Sequence, residues 1–297
     1  MAITSHFATP MVLVGVSSKN RKLGSDIINK IEVLFSKLRS VIKSFLRTNL
    51  GLNVSRNLYF DFLVSASESK HFEELQFLKV LSDSDINIPA RYLKMGSAQL
   101  HQDLLALATA GYRPNGFFVE IGATDGKTIS NTFFLEKEFG WEGILCEPTR
   151  FRHDKLRVNR TAKISTRAAW SSSNQVLKIV ETSNPELSTI DKFRHNDFHS
   201  SKRVLGVEYN VMSISLNDLL ELHSAPKYID FISIDTEGSE FEIVMNFDFT
   251  SYKVGMFAIE HNYSKTRKLV HKLMERNNYE RKYSEISGID DWYFPKK

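Results

Sequence analysis

Apolar and polar positions alternate in blocks along the second half of the chain, and the blocks predict strands and helices in regular succession. Short apolar or β-branched runs, typical of strands buried on both faces of a parallel sheet, occupy residues 117–119, 143–148, 228–235 and 256–259. A helix is predicted from Ser130, as the N-cap, to Gly140, as the C-terminal stop, and another over 264–277. This alternation indicates an α/β fold.

The remaining segments complete a single α/β domain. Residues 162–170 and 176–181 are predicted as further strands, and residues 279–287 and 291–294 as a closing antiparallel hairpin. The predicted fold is therefore a mostly parallel sheet with a closing antiparallel hairpin. We place this domain at residues 96–297 and assign residues 1–95 to a helical N-terminal extension.

An amphipathic helix over residues 26–48 is the clearest element of that extension. Its apolar residues recur at helical spacing. Its other face has one acid, Glu32, among five cations: Lys30, Lys37, Arg39, Lys43 and Arg47. Two interpretations stay open: peripheral contact with an anionic membrane surface, or docking on this protein or a partner subunit with the basic face in solvent.

Composition excludes several classes of protein. The formal net charge of +4 over 297 residues is nearly balanced, which does not favour a nucleic-acid partner. Cys146 is the single cysteine and lies in an apolar run, so we expect a small core residue, no internal disulfide and a reducing compartment. No apolar segment has the length of a membrane span. The expected location is the cytoplasm, and peripheral membrane contact through residues 26–48 is one of the two interpretations of that helix.

The strand at 117–119 leads into a glycine turn that contains Glu120, Gly122, Asp125 and Gly126. Glycines permit a close backbone approach, and ligands bind beyond the carboxyl ends of such strands. A dinucleotide fingerprint requires a different glycine spacing, and here a pyrophosphate would meet Asp125. A ligand with ammonium and sulfonium groups suits the acids better, so the turn favours S-adenosylmethionine over NAD.

Glu147 follows the second predicted strand. An acid at this position accepts hydrogen bonds from ribose hydroxyls in nucleoside-binding sheets. The alternative is a surface ion pair with Arg150 or Arg152.

Five segments follow one another in a recognisable order: FFVEIGATDG at 117–126, SNT at 130–132, WEGILCEP at 141–148, IDFISIDTEGSE at 229–240 and IEHN at 259–262. With SAQLHQD at 97–103 and DDWY at 290–293, they resemble the FkbM family of methyltransferases over residues 97–297. Thr124 departs from the family, which more often has Asn there, but it keeps a hydrogen-bonding side chain. The resemblance implies a class I, Rossmann-like fold, S-adenosylmethionine as donor, and O-methylation of a sugar, glycan or natural-product hydroxyl.

The predicted donor site follows from these motifs. It contains Glu120, Gly122, Ala123, Asp125, Gly126, Asn131, Glu147, Ala169 and Asp235.

An alcohol must lose its proton during methyl transfer, so a general base is expected at the strand ends. The candidates are His261, Asp235 and Glu237. The ordinary pKa of His261 lies near working pH, but a histidine at a strand end is often only a hydrogen-bonding residue. For Asp235 the alternative to a role in the site is that of a strand-terminal acid that caps the next helix. Together with Glu260 these side chains are hard ligands suited to Mg²⁺ or Mn²⁺, although a metal-free site is the prediction.

Two other functions stay open, and so does the acceptor. One is a donor-binding but inactive recruitment module, and the other is a nicotinamide-dependent enzyme, which the glycine spacing disfavours. Acceptor specificity is expected in loops such as 184–210. That loop is either a basic lid over an acidic acceptor or a solvated loop, and its basic residues include Lys192, Arg194, His195 and His199.

Overall fold

A computed structural model describes residues 70–82, 86, 88–182, 187–194, 203 and 206–297. The predicted helix over 26–48 lies outside the described residues, so both interpretations of it stay predictions. Residues 70–297 form one compact unit. The domain boundary at residue 95 also stays a prediction.

Helices and strands alternate along the described part of the chain. The helices are α1 (Lys70–Ser82), α2 (Ala90–Leu93), α3 (Gln102–Thr109), α4 (Phe133–Phe139), α5 (His153–Asn159), α6 (Leu216–Leu222), α7 (Glu240–Val244) and α8 (Arg267–Arg276). The strands are β1 (Phe117–Ile121), β2 (Glu142–Cys146), β3 (Lys163–Ser165), β4 (Ala168–Trp170), β5 (Val176–Glu181), β6 (Thr189–Ile190), β7 (Val207–Ser215), β8 (Tyr228–Ile234), β9 (Lys253–Glu260), β10 (Tyr279–Lys282) and β11 (Asp290–Pro295).

Seven of these strands form the main sheet, in the order β10-β11-β9-β8-β1-β2-β3. The successive pairs β9–β8, β8–β1, β1–β2 and β2–β3 are parallel. Strand β11 is antiparallel to both β9 and β10. At the centre, Val119 of β1 lies opposite Ile144 of β2 and Ile232 of β8. The predicted α/β fold, with a mostly parallel sheet and a closing antiparallel hairpin, is confirmed.

The segment 162–170 was predicted as one strand, and this prediction is wrong. Residues 163–165 form β3 at the edge of the main sheet, whereas 168–170 form β4 of a second sheet with the order β4-β7-β5-β6. Trp170 leaves the main core and packs with Ile179, Ile190 and Phe193 in a small core of its own. The chain changes sheets because its two halves bury their side chains in different cores.

Helices cover both faces of the main sheet, which explains the continuous apolar runs of its strands. Val119 packs into the core on one face. Phe118 packs on the other face, where Phe77 of α1 and Trp292 of β11 join it. Helix α1 therefore contributes to the same core as the central strands.

In the part of the chain that the structure describes, no helix is both long and apolar enough to cross a membrane.

Candidate active site

A cavity of about 260 Å³ lies at the carboxyl ends of β1, β2, β8 and β9. Adjacent parallel strands end at the same edge of a sheet, so residues distant in sequence meet there. The lining includes most of the predicted site residues, namely Glu120, Gly122, Ala123, Asn131, Glu147, Ala169, Asp235 and Glu237. Asp125, Gly126 and His261 are not part of this lining.

Gly122 allows β1 and β8 to converge at the cavity. Its φ is +88°, and a Cβ built on it would lie 1.7 Å from the backbone oxygen of Asp235. The Gly122 amide donates to the Cys146 carbonyl of β2 at 2.9 Å, and the Asp235 amide donates to the Ile121 carbonyl at 3.0 Å. Glycine is therefore required here for both its conformation and its lack of a side chain.

Glu120 organises the loop that leads into α4. Its carboxylate accepts hydrogen bonds from the Asn131 amide at 2.8 Å and from the hydroxyls of Ser130 and Thr132 at 2.9 and 2.5 Å. Arg160 lies 3.4 Å from it and is fully buried. Glu120 lines the cavity, but these donors already use both of its oxygens, so its main role is to hold the loop.

Asp125 was predicted to face a cationic donor, and its position does not fit that role. Its carboxylate turns back into its own loop and accepts hydrogen bonds from the Lys127 and Thr128 amides at 3.0 and 2.8 Å. Arg152 lies 3.8 Å away. Burial alone would raise the pKa of Asp125, but the bonds from Thr128 and Lys127 outweigh it and lower that pKa.

Gly126 likewise has a packing role in place of the predicted donor contact. Its φ is +75°, and a Cβ would lie 2.6 Å from side-chain atoms of Arg160 and Leu156. The Arg160 guanidinium also donates to the Gly126 carbonyl at 3.0 Å. The glycine lets the loop lie directly on Arg160.

Glu147 reaches the cavity at the end of β2, as predicted. One carboxylate oxygen accepts from the Thr124 amide at 2.7 Å, and the other from the amide and hydroxyl of Thr149 at 2.7 and 2.5 Å. Burial raises its pKa above the usual value for a glutamate. The alternative partner Arg152 pairs with Asp125 instead. The first oxygen of Glu147 has room for another donor, such as a sugar hydroxyl.

Asn131 and Ala169 line other parts of the cavity wall. The Asn131 side-chain amide donates to the Ser233 hydroxyl at 2.8 Å, which links the loop to β8. Ala169 of β4 lies with Ala168 and Ile179 on an apolar part of the wall. A flat apolar ring system fits beside these small side chains.

Three carboxylates meet where β8 and β9 end. Asp235, Glu237 and Glu260 each place an oxygen within 4.8 Å of the others, which is close enough for a shared divalent cation. Glu237 is also bound by buried Arg203, with a nitrogen to oxygen distance of 2.9 Å. His261, predicted as a member of the same ligand group, is not part of this cluster.

Burial and mutual repulsion raise the pKa values of two of these acids, Asp235 and Glu260. Desolvation by burial and repulsion by Asp290 raise the pKa of Asp235 to about 7. Burial and the charge of Asp235 raise the pKa of Glu260 further above its usual value. Two carboxyl groups that share a site cannot both ionise easily, so the pKa values of Asp235 and Glu260 are both raised. Asp235 is therefore a carboxylate that titrates close to neutral pH.

His261 was predicted as a general base, and the structure does not bring it into the cavity. The ring is buried on the far side of the strand end, with its Nε2 3.8 Å from Asp291. Its Nδ1 accepts a hydrogen bond from the Tyr263 amide at 3.0 Å. Burial lowers its pKa. The position of the ring therefore matches the alternative, a histidine that is a hydrogen-bonding residue at a strand end. The next residue, Asn262, lines the cavity instead.

Sequence reasoning missed several residues that shape the site. Gln102 donates to Asp290 at 2.7 Å, and both residues line the cavity. They belong to the two outer motifs at 97–103 and 290–293, so the signal was present. Arg160 and Arg203 carried no such signal, because nothing in their local sequence shows that a cation will be buried against an acid.

A Rossmann-like sheet with an acid-lined cavity beyond the Gly122 turn is the fold that the family resemblance implies. Residues 120–283, more than half of the chain, match the methyltransferase FkbM domain. The chain belongs to the FkbM family of methyltransferases, as its motifs predicted.

Two solved structures resemble the chain. Methyltransferase FkbM from Methylobacillus flagellatus KT is 14% identical, with a TM-score of 0.38; the match covers 75% of this chain and 59% of that one. Precorrin-6y C5,15-methyltransferase from Geobacter metallireducens GS-15 is 12% identical, with a TM-score of 0.38; the match covers 72% of this chain and 96% of that one. This chain spans less than two thirds of the length of the first structure. No curated protein matches it significantly.

Proposed function

We propose that the protein transfers a methyl group from S-adenosylmethionine to a hydroxyl of a sugar, glycan or natural product. The observation that carries this proposal is the position of Asp235, whose carboxyl group lines the same cavity as the Gly122 turn and Glu147, where burial and repulsion by Asp290 raise its pKa to about 7. A general base works best when its pKa lies near the operating pH. The predicted location in the cytoplasm and the partner contact through residues 26–48 stay part of the proposal.

The cavity offers groups that fit each part of the donor. Glu147 has an oxygen available for ribose hydroxyls, and Ala168, Ala169 and Ile179 offer an apolar surface for the adenine ring. The ionised carboxylate of Asp235 favours the ammonium and sulfonium groups, whereas the charge of Glu237 is matched by Arg203. These contacts would place the methyl group near the ends of β8 and β9.

The reaction is an in-line displacement. The acceptor oxygen forms a bond to the methyl carbon as the carbon–sulfur bond breaks, and the bonding electrons stay on sulfur to give the neutral thioether. The hydroxyl proton passes to the carboxylate of Asp235. Positioning of the two reactants supplies much of the acceleration, and the base adds roughly 10²- to 10⁴-fold.

A metal-assisted form of the reaction is the second candidate. Asp235, Glu237 and Glu260 each place one carboxylate oxygen within 4.8 Å of the others, so they could hold one divalent ion. A divalent ion there would bind the acceptor oxygen and lower its pKa. We propose the metal-free form. Loss of methyl transfer in EDTA, restored by Mg²⁺, would establish the metal-assisted form instead.

The test is methyl transfer itself. The full chain is incubated with labelled S-adenosylmethionine and a panel of neutral glycans, sugar nucleotides and hydroxylated natural products, and the products are analysed by mass spectrometry. A gain of one methyl group on an acceptor oxygen is the expected result. Donor binding without transfer to any acceptor would favour the recruitment module, and a fluorescence change on addition of NADH would favour the nicotinamide enzyme.

A further inference from the structure

The chain makes an unusual turn directly after β9. Asn262 and Tyr263 are consecutive residues with φ of +39° and +55°. Residues other than glycine are uncommon in this left-handed region, although Asn enters it more readily than most, and they persist there when surrounding contacts hold the backbone. The backbone at 261–263 is therefore held in place by specific bonds.

His261 supplies one of those bonds, and Ile289 supplies others. The Nδ1 atom of His261 accepts from the Tyr263 amide at 3.0 Å, across the left-handed residue Asn262. The amides of His261 and Asn262 donate to the Ile289 carbonyl at 2.8 and 3.3 Å. The Tyr263 ring packs against the imidazole, with 5.1 Å between ring centroids.

The turn determines where the Asn262 amide points. Its Nδ2 donates to Glu260 at 2.8 Å and to Glu237 at 3.4 Å, so one side chain bridges two acids of the cavity. Asn262 lines the cavity, whereas His261 does not. Both acids lie beside Asp235.

We propose that His261 is a positioning residue that acts through Asn262: its Nδ1 fixes the left-handed turn, and the turn holds the Asn262 amide between Glu260 and Glu237. This inference rests on the proposed function for its catalytic meaning. The imidazole must be neutral, with its proton on Nε2, because Nδ1 accepts a hydrogen bond. Asp291, which faces Nε2, is itself bound by Arg267 and Arg281.

Histidine tautomers and amide positions test this without an acceptor. In the full chain labelled with ¹⁵N-histidine, the His261 signals are assigned by their loss in His261→Asn. We expect an unprotonated, hydrogen-bonded Nδ1 and a protonated Nε2 at pH 7. A proton on Nδ1 would overturn the proposal.

Two variants then separate positioning from packing. An Asn oxygen accepts from the amide two residues later in an Asx-turn, so His261→Asn keeps the bond, whereas His261→Leu removes it. The Asn262 side-chain amide signals, assigned through Asn262→Ser, should keep their wild-type position in His261→Asn and lose it in His261→Leu. Equal spectra of the two variants would overturn the proposal.

The outcome is independent of the proposed function. If His261→Leu does not fold, the tautomer of the wild type and the rescue by His261→Asn still decide the question. Failure of the wild type to bind S-adenosylhomocysteine would instead contradict the methyltransferase proposal and leave the positioning result unchanged.

Discussion

Gly122 lies where the backbone after β1 approaches the backbone at the end of β8. A Cβ built on it would lie 1.7 Å from the Asp235 carbonyl oxygen. We expect Gly122→Ala to lower the free energy of unfolding by roughly 2–4 kcal/mol, because strain and a steric overlap add.

The matched control for this variant is Gly111→Ala. Gly111 also has a positive φ, at +66°, but no heavy atom lies within 4 Å of a Cβ built on it. Its substitution should cost about 1–2 kcal/mol, from conformation alone. Equal losses for both variants in urea denaturation would show that the contact with Asp235 is unimportant.

Asp235 gives a prediction about pH. Its pKa is about 7 in the folded protein, against 3.8 as the ordinary value. Between pH 3.8 and about pH 7 the folded state keeps a proton on Asp235 that the unfolded state has lost. The free energy of unfolding therefore falls as pH rises through this range, and its decrease is complete above about pH 7. Asp235→Asn should therefore raise the melting temperature by a few degrees at pH 8 and by less at pH 5.

The same variant should lose methyl transfer by about 100-fold or more, because a base is removed. Asp154→Asn is the control, since the Asp154 side chain is fully exposed. A melting temperature of Asp235→Asn below that of the wild type at pH 8 would refute the raised pKa. Rates close to wild type at every pH would refute the role as base.

The position of each acid after a strand predicted the site residues, and Glu147 and Asp235 do line the cavity, although their roles stay predictions. Asp125 and His261 do not line it, because their side chains satisfy nearby backbone amides in tight turns. A one-dimensional pattern shows which residue follows a strand. It does not show whether a local amide competes with the cavity for the side chain.

At the scale of elements, Arg160 joins helix α5 to the loop that precedes α4. It donates to Glu136 at 2.7 Å, to the Gly126 carbonyl at 3.0 Å and to the Thr132 hydroxyl at 2.8 Å. Arg160→Met would leave buried Glu120 without its cation and would leave buried Glu136 with only the partly exposed Lys137, at 3.1 Å. We expect a loss of about 3–5 kcal/mol in the free energy of unfolding, measured by urea denaturation.

Arg157 on the same helix provides the control. Its ion pair with Asp154 is exposed, so Arg157→Met should change stability by less than about 0.5 kcal/mol. Addition of Glu136→Gln to Arg160→Met should recover part of the loss, because it removes a buried charge that has lost its buried partner and keeps only Lys137. Equal denaturation midpoints for the two arginine variants would contradict this account.

The prediction of one strand over residues 162–170 was wrong because this apolar run contributes strands to two different sheets. Residues 162–170 have a uniform pattern, yet the chain leaves the main sheet after Ser165 and enters the second at Ala168. Trp170 packs with Phe193, at a centroid distance of 6.0 Å, in the core of that second sheet. Such a partner, distant in sequence, determines the change of sheet, and local periodicity does not contain it.

At the scale of the whole molecule, the fold could be predicted because the apolar runs, glycine stops and strand-end acids agreed with one another. The basic lid was a different case. Lys192 pairs with Glu242 at 2.6 Å, and Arg194 pairs with Glu208, so the charges of these two residues are matched by acids. Neither residue lines the cavity. His195 and His199 lie outside the described residues, so their role stays a prediction.

If the cavity binds the methyl donor, it also binds the demethylated product S-adenosylhomocysteine, and titration calorimetry measures that binding. We expect saturable binding of one molecule per chain. Glu147→Gln should weaken it by roughly 10- to 100-fold, because a hydrogen bond to a charged group is lost. Glu142→Gln, at the exposed opposite end of β2, should bind as the wild type does. Absence of binding by the wild-type chain would contradict the account.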